Sequence, residues 1–227
     1  MKKILLLVFS FVAISVSAQT YELQNVDGKN ILSSFAEYPS INDKAIFASV
    51  LTWITNEVCT KGQDAIEMLD YEALSFKTGI TIKSPDNEKV NYKTDLYIRV
   101  TDGRLSYTLS NIMVESAAML GKNLTPIEKL QPEKKSAHKT LVNNFVLTSR
   151  KVVYRILDYV TEYGNHSFKH WDEIVQGKVV KGMTEDEVLL TSGKPQSKVG
   201  GSKDSEWKYN LNYSVFFKDG IVKTVLH

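Results

Sequence analysis

The chain has 227 residues, with 28 basic side chains against 26 acidic ones and a sequence pI near 8.4. Two of those bases, Lys2 and Lys3, belong to a cleavable leader, so the mature charges balance at 26 each and the basic pI gives no ground for nucleic-acid or anionic-membrane binding. The lone cysteine, Cys59, excludes an internal disulfide and reads as a small buried hydrophobe.

Lys2 and Lys3 precede the apolar run Ile4 to Val16, which ends in the small-residue exit Val16-Ser17-Ala18. A charged start, a short apolar middle and a small-residue exit describe a secretory signal peptide over residues 1–18. The mature chain is then expected to begin at Gln19 and to be periplasmic or secreted. A bacterial lipoprotein needs cysteine at that first position, so no lipid anchor is expected, and no later run is apolar enough to span a bilayer.

Residues 22–38 read as one extended stretch or as a hairpin through Asp27-Gly28. Asn42 or Ser40 then opens a helix whose buried stripe is Ile46, Phe47, Val50, Leu51, Trp53, Ile54 and Val58, at spacings of three and four. Lys44, Ser49, Thr52, Asn56 and Glu57 fall on its polar side. Strand-like runs follow at 64–70, 73–83, 90–101 and 104–115. The last two form a hairpin at Asp102-Gly103, where a two-residue loop pairs Val100 with Leu105, Ile98 with Tyr107 and Leu96 with Leu109. Those six side chains share a core face. Asp95, Tyr97, Arg99, Thr101, Arg104, Ser106, Thr108 and Ser110 line the opposite one.

Pro126 and Pro132 bracket a charged turn, the best boundary in the chain. A long helix over 133–163 carries a broad apolar stripe through Val142, Phe145, Val152, Ile156 and Tyr159. It therefore packs on the sheet before it, on the module after it, or on both. Gly164-Asn165 ends it. Further on, Thr184 and Glu187 make a capping box, Met183 and Val188 a hydrophobic staple, and Gly193 with Pro195 a stop, which together dictate a short helix over 184–192. The segment Lys194 to Lys203 reads as a mobile loop. Trp207 to Tyr209, Tyr213 to Phe217 and Ile221 to Leu226 read as strands, the last two turning at Asp219-Gly220.

From Trp171 to His227 the pattern of an apolar helix, Gly182-Met183-Thr184, an acidic residue and Val188, Gly193-x-Pro195, the Trp207/Tyr209 pair and a hairpin at Asp-Gly resembles BamE (SmpA/OmlA), the small lipoproteins of outer-membrane assembly. That resemblance implies two helices on a three-stranded antiparallel sheet, used for protein contact and not for catalysis. Residues 22–115, through the Asp43-Lys44 helix start with Trp53-Ile54 and the hairpin Leu96-Tyr97-Ile98-Arg99-Val100-x-Asp102-Gly103-Arg104, resemble an exported domain of unknown function from Bacteroides-like bacteria with a TATA-binding-protein-like shape. The likeness implies shape only, and no nucleic acid is expected. The fold class expected is α+β in two small domains: 19–125 of the TATA-binding-protein-like type, 126–165 a connecting helix, and 166–227 a BamE-like module.

The chemistry-bearing candidates are sparse. His166 and His170, four apart and near Asp172 and Glu173, suggest a metal-assisted hydrolase as one alternative. Glu185, Asp186 and Glu187 are explained by the helix dipole without acid–base work. Aromatic and arginine side chains mark interface anchors. Tyr97, Arg99 and Arg104 on the first sheet, and Trp207, Tyr209 and Tyr213 on the second, are therefore the binding candidates. The expected role is a non-catalytic, cofactor-free, exported interaction module of the bacterial envelope, in assembly or maintenance, with an envelope or secreted protein as partner. Inhibition of a secreted enzyme is a further alternative.

Overall fold

In a computed structural model, residues 21–58, 66–86, 90–116, 124–130, 135–164, 167–201 and 203–227 are described. The leader, Cys59 and His166 lie outside them. Strand β1 (Gln24–Val26) turns into β2 (Lys29–Glu37) at Asp27 and Gly28, both at positive φ, which is the hairpin form of the alternatives left open by the sequence. Strands β3 (Ile66–Asp70), β4 (Ser75–Lys83), β5 (Val90–Thr101), β6 (Arg104–Ser116) and β7 (Leu124–Pro126) complete a seven-stranded antiparallel sheet. Its order is β1-β2-β6-β5-β4-β3, with β7 beside β6.

The β5–β6 register is the one that the turn dictates, with Val100 opposite Leu105, Ile98 opposite Tyr107 and Leu96 opposite Leu109. All six side chains are buried. Further along, the register shifts between Lys93 and Asp95, where β6 accommodates an extra residue and Asn111 has a φ of 50°. This bulge changes the inward parity of β6 from odd to even positions, so Ile112 and Val114 still reach the core.

Helix α1 (Asp43–Trp53) starts at Asn42, whose side chain accepts the Lys44 N–H at 2.9 Å, and runs into a π-helical turn at Ile54–Val58. The Asp43 carboxylate accepts the N–H groups of Asp102 (3.0 Å) and Gly103 (2.7 Å), fastening the helix start to the β5–β6 turn. The expected polar side of α1 is corrected by the structure. Ser49 and Thr52 are buried because α1 lies between the sheet and the later helices. Ser49 satisfies its hydroxyl locally on the Ala45 carbonyl at 2.8 Å.

Helix α2 (Lys135–Tyr163) packs on the inner face of the large sheet. Tyr92 donates to the Leu141 carbonyl at 2.9 Å and Tyr38 to the Leu157 carbonyl at 3.1 Å. Phe145 meets Tyr92 edge-on with ring centroids 5.4 Å apart.

Short helix α3 (Trp171–Val175) and α4 (Glu185–Ser192) lead into a second antiparallel sheet of β8 (Ser197–Gly200), β9 (Asp204–Lys208), β10 (Ser214–Lys218) and β11 (Ile221–Leu226), in the order β11-β10-β9-β8. This sheet has four strands where three were expected. The segment read as a loop contributes β8, which pairs Ser197 with Lys208 and Gly200 with Ser205. The α+β class is therefore met with one large and one smaller sheet. Trp171 packs edge-on against Phe47 and Tyr71, and the Tyr71 hydroxyl donates to the Leu190 carbonyl at 2.7 Å. One buried apolar cluster thus runs from Leu32 to Val222.

Candidate functional site

Alternation along β5 and β6 sends every second side chain away from the core, and no described element lies over that outer face. Arg99 and Arg104 are exposed there and Tyr97 is half-buried. Pairing sets their spacing: Tyr97 stands opposite Thr108 and Lys77, Arg99 opposite Ser106 and Ser75, and Arg104 opposite Glu37. The sheet thus brings these three candidates onto one face, as their spacing implies.

The charges on this face are mostly paired. Arg104 contacts Glu37 at 2.8 Å and lies 4.2 Å from the ring centre of Phe35. Lys77 bridges Glu67 (2.9 Å) and Asp95 (3.0 Å), which holds its ammonium above the ordinary lysine pKa, and Lys93 reaches Glu115 at 3.5 Å. Arg99 forms no salt bridge among the described residues. Exposed pairs of this kind add little stability. Their effect is to hold a flat array of oriented charges around Tyr97 and Arg99.

The second set of candidates divides. Trp207 is only 1% exposed, packed on Phe217 with centroids 4.6 Å apart and covered by the Lys198 ammonium 3.7 Å from its ring centre. It belongs to the core of the small sheet and is withdrawn as a binding residue. The Tyr209 hydroxyl donates to the Gly193 carbonyl at 3.0 Å, and burial pushes its pKa up. The Tyr213 hydroxyl lies 3.1 Å from Ser192 Oγ. Both tyrosines thereby fix the end of α4. Tyr213 also packs against the tilted ring of Tyr209 (5.1 Å) and stacks on His227 (5.3 Å), beneath a loop tip where Leu211 is fully exposed. Sequence reasoning passed over Leu211, because nothing in a short Asn-Leu-Asn segment separates an exposed leucine from a buried one.

Of the metal candidates, His166 falls outside the described residues and His170 is engaged elsewhere. Its Nδ1 lies 3.2 and 3.1 Å from the two carboxylate oxygens of Glu187, and its backbone N–H donates to Oε1 at 2.9 Å. Glu187 also accepts the Thr184 N–H at 2.8 Å, while Thr184 Oγ1 accepts the Glu187 N–H at 3.2 Å, completing the capping box. Burial alone would raise the Glu187 carboxyl, but the donors from Thr184 and His170 outweigh it and hold the pKa below the ordinary glutamate value. This carboxylate joins the starts of α3 and α4. Among the described residues no group of three or more His, Cys, Asp or Glu side chains is placed to hold a metal ion.

No family model matches the chain, and no curated protein does. Among solved structures, a TBP-like protein from Parabacteroides distasonis aligns with a TM-score of 0.49 at 13% identity, over 62% of this chain and 98% of its own. A DUF4468 family protein from Bacteroides ovatus aligns at 0.45 and 11%, over 65% of this chain and 93% of its own. Both are proteins of the kind that the N-terminal pattern resembles. At these scores the likenesses carry no argument about role. No described helix is long and apolar enough to cross a membrane.

Proposed function

We propose that this protein is an exported, non-catalytic interaction module of the bacterial envelope, acting in assembly or maintenance, that binds a protein partner across the outer face of its large sheet. The observation that carries the reading is the asymmetry of that sheet. Its inner face is closed by α1 and α2, while the outer face presents Tyr97, Arg99 and Arg104 with no described element over them. An aromatic side chain with Arg99 two residues along the strand and Lys77 opposite it has the composition of an interface centre, and strand pairing lowers the entropy lost on binding. Export is supported by the leader pattern of Lys2, Lys3 and Ala18.

The C-terminal residues contain two short helices and an antiparallel sheet, a content of elements that supports the BamE resemblance, with a fourth strand, β8, at the edge. In this reading residues 19–125 form the partner-binding unit and 166–227 the BamE-like unit, with the long helix between them in sequence. The carboxylates at 185–187 serve the α4 start, and His170 serves Glu187, so these groups are accounted for without chemistry. The test is a crosslinking pull-down from envelope and secreted fractions with the wild type and with Tyr97→Ala/Arg99→Glu. The expected result is a specific protein retained by the wild type and lost by the variant at unchanged melting temperature. Equal retention by both would overturn the reading.

A further inference from the structure

A second surface lies where α1 meets α3. Two open cavities, of about 470 and about 420 Å3, flank the Trp171 ring, and both are lined by Lys44 and Trp171. The larger is walled by Ile41, Ala45 and Phe168, with polar groups from Ser40, Asn42 and Ser167. The smaller is walled by Tyr71 and Leu74 and carries the carboxylates of Glu72 and Asp172. Between them the Lys44 ammonium lies 5.3 Å from the centre of the Trp171 ring.

Lys44 is exposed and forms no salt bridge among the described residues. Among the described residues, the contact of its ammonium is the Trp171 ring face. Trp171 is held rigidly from beneath by edge contacts with Phe47 (6.4 Å) and Tyr71 (5.8 Å), yet it is 8% exposed with Lys44 over it. With Lys44 swung aside, the smaller cavity becomes an indole face beside two carboxylates. That set suits a cation, and a guanidinium best, because it stacks on an aromatic plane while its edge pairs with a carboxylate.

We propose that this groove receives an arginine side chain of a protein partner, which displaces Lys44 from Trp171 and pairs with Glu72 and Asp172, while a neighbouring apolar side chain enters the cavity between Ile41 and Phe168. Lys44 thus acts as an internal stand-in that keeps the indole covered when no partner is bound. Charge complementarity selects the occupant: without Lys44 the smaller cavity holds two carboxylates and no cation. The inference rests on the reading of this chain as a protein-binding module, but not on the outer sheet face.

The test titrates the mature chain with a blocked Leu-Arg-Leu tripeptide, followed by nitrogen–proton NMR of the indole groups. The neutral citrulline analogue and free arginine serve as comparison probes. The expected result is a shift of the Trp171 indole, with those of Trp53 and Trp207 unmoved. Lys44→Ala should bind the tripeptide about two- to fivefold tighter, the ratio expected for losing one exposed cation–π competitor. Glu72→Gln/Asp172→Asn should abolish the shift. All three altered residues are exposed, so these variants fold. Equal binding of the citrulline analogue, or weaker binding by Lys44→Ala, would overturn the proposal. Free arginine binding as tightly as the tripeptide would overturn the assignment to a protein partner. Tyr97→Ala/Arg99→Glu leaves this titration unchanged, so failure here and failure of the sheet-face reading are separable.

Discussion

Removing the Glu187 carboxylate tests whether one buried acid joins the two C-terminal helices. Its side chain is 2% exposed and accepts N–H groups from Thr184 (2.8 Å) and His170 (2.9 Å), with His170 Nδ1 at 3.1 Å. Glu187→Ala strands two backbone donors and the imidazole at once. At about 1–3 kcal/mol for each buried group left unsatisfied, with partial relief from water at the partly exposed His170, the expected cost is about 2–4 kcal/mol. Thr184→Ala removes only the 3.2 Å cap to the Glu187 N–H and should cost about 1 kcal/mol. Glu187→Gln keeps an acceptor but no charge and should fall between the two. The sign with pH follows from the lowered carboxyl pKa. The folded state favours the ionised form, so its contribution is complete above the unfolded value of about 4.3 and is lost as pH falls through the lower folded value. Urea unfolding at neutral pH and across the acid range reads both effects, and Glu187→Gln should flatten the acid limb. A Glu187→Ala cost no larger than that of Thr184→Ala, or an acid limb unchanged in Glu187→Gln, would refute the idea that this carboxylate links α3 to α4.

Asp43→Ala should cost about 1–3 kcal/mol and speed amide exchange at Asp102 and Gly103, whose N–H groups it accepts; unchanged exchange there would refute the tether. Gly103→Ala should destabilise more than Gly28→Ala. Both positions have positive φ, but a Cβ at 103 lies 3.2 Å from the Tyr38 carbonyl oxygen whereas at 28 it meets nothing within 4 Å. The two melting temperatures decide it. Alkaline titration should show late-ionising tyrosines: burial pushes Tyr38, Tyr92 and Tyr159 up to about 12. Their neutral forms belong to the folded state, so the stability they contribute is complete below about pH 10 and lost as pH rises towards 12. Absorbance of phenolate and unfolding should then rise together. Tyr92→Phe should cost about 1 kcal/mol in urea unfolding through loss of the bond to Leu141.

The features legible in the sequence are those set by short-range rules. Asp102-Gly103 between two alternating runs leaves one register, and the strands take it. Met183, Thr184, Glu187 and Gly193 specify a helix within eleven residues of chain, and it forms with both capping bonds. The parts that were not legible depend on what arrives from far away. Ser49 and Thr52 look like a solvent face until later helices cover them. Ser197 to Gly200 has no alternation and no buried side chain, so only the pairing with β9 makes it a strand. Trp207 carries the same signal whether it faces α4 or water, and the packing of Val215, Phe217 and Val222 decides for the core. Of the candidate surfaces, the Tyr97, Arg99 and Arg104 face follows from period two alone. The Lys44–Trp171 contact joins residues far apart in sequence and has no local signal.

A position-specific photocrosslinker tests most directly whether the outer face of the large sheet binds a protein. The probe would replace Tyr97 on that face, and in a second variant exposed Lys151 on α2, each expressed in the native envelope. The expected result is a discrete crosslinked protein from position 97 that is missing from position 151. The same set of products from both positions, or none from position 97, would contradict it.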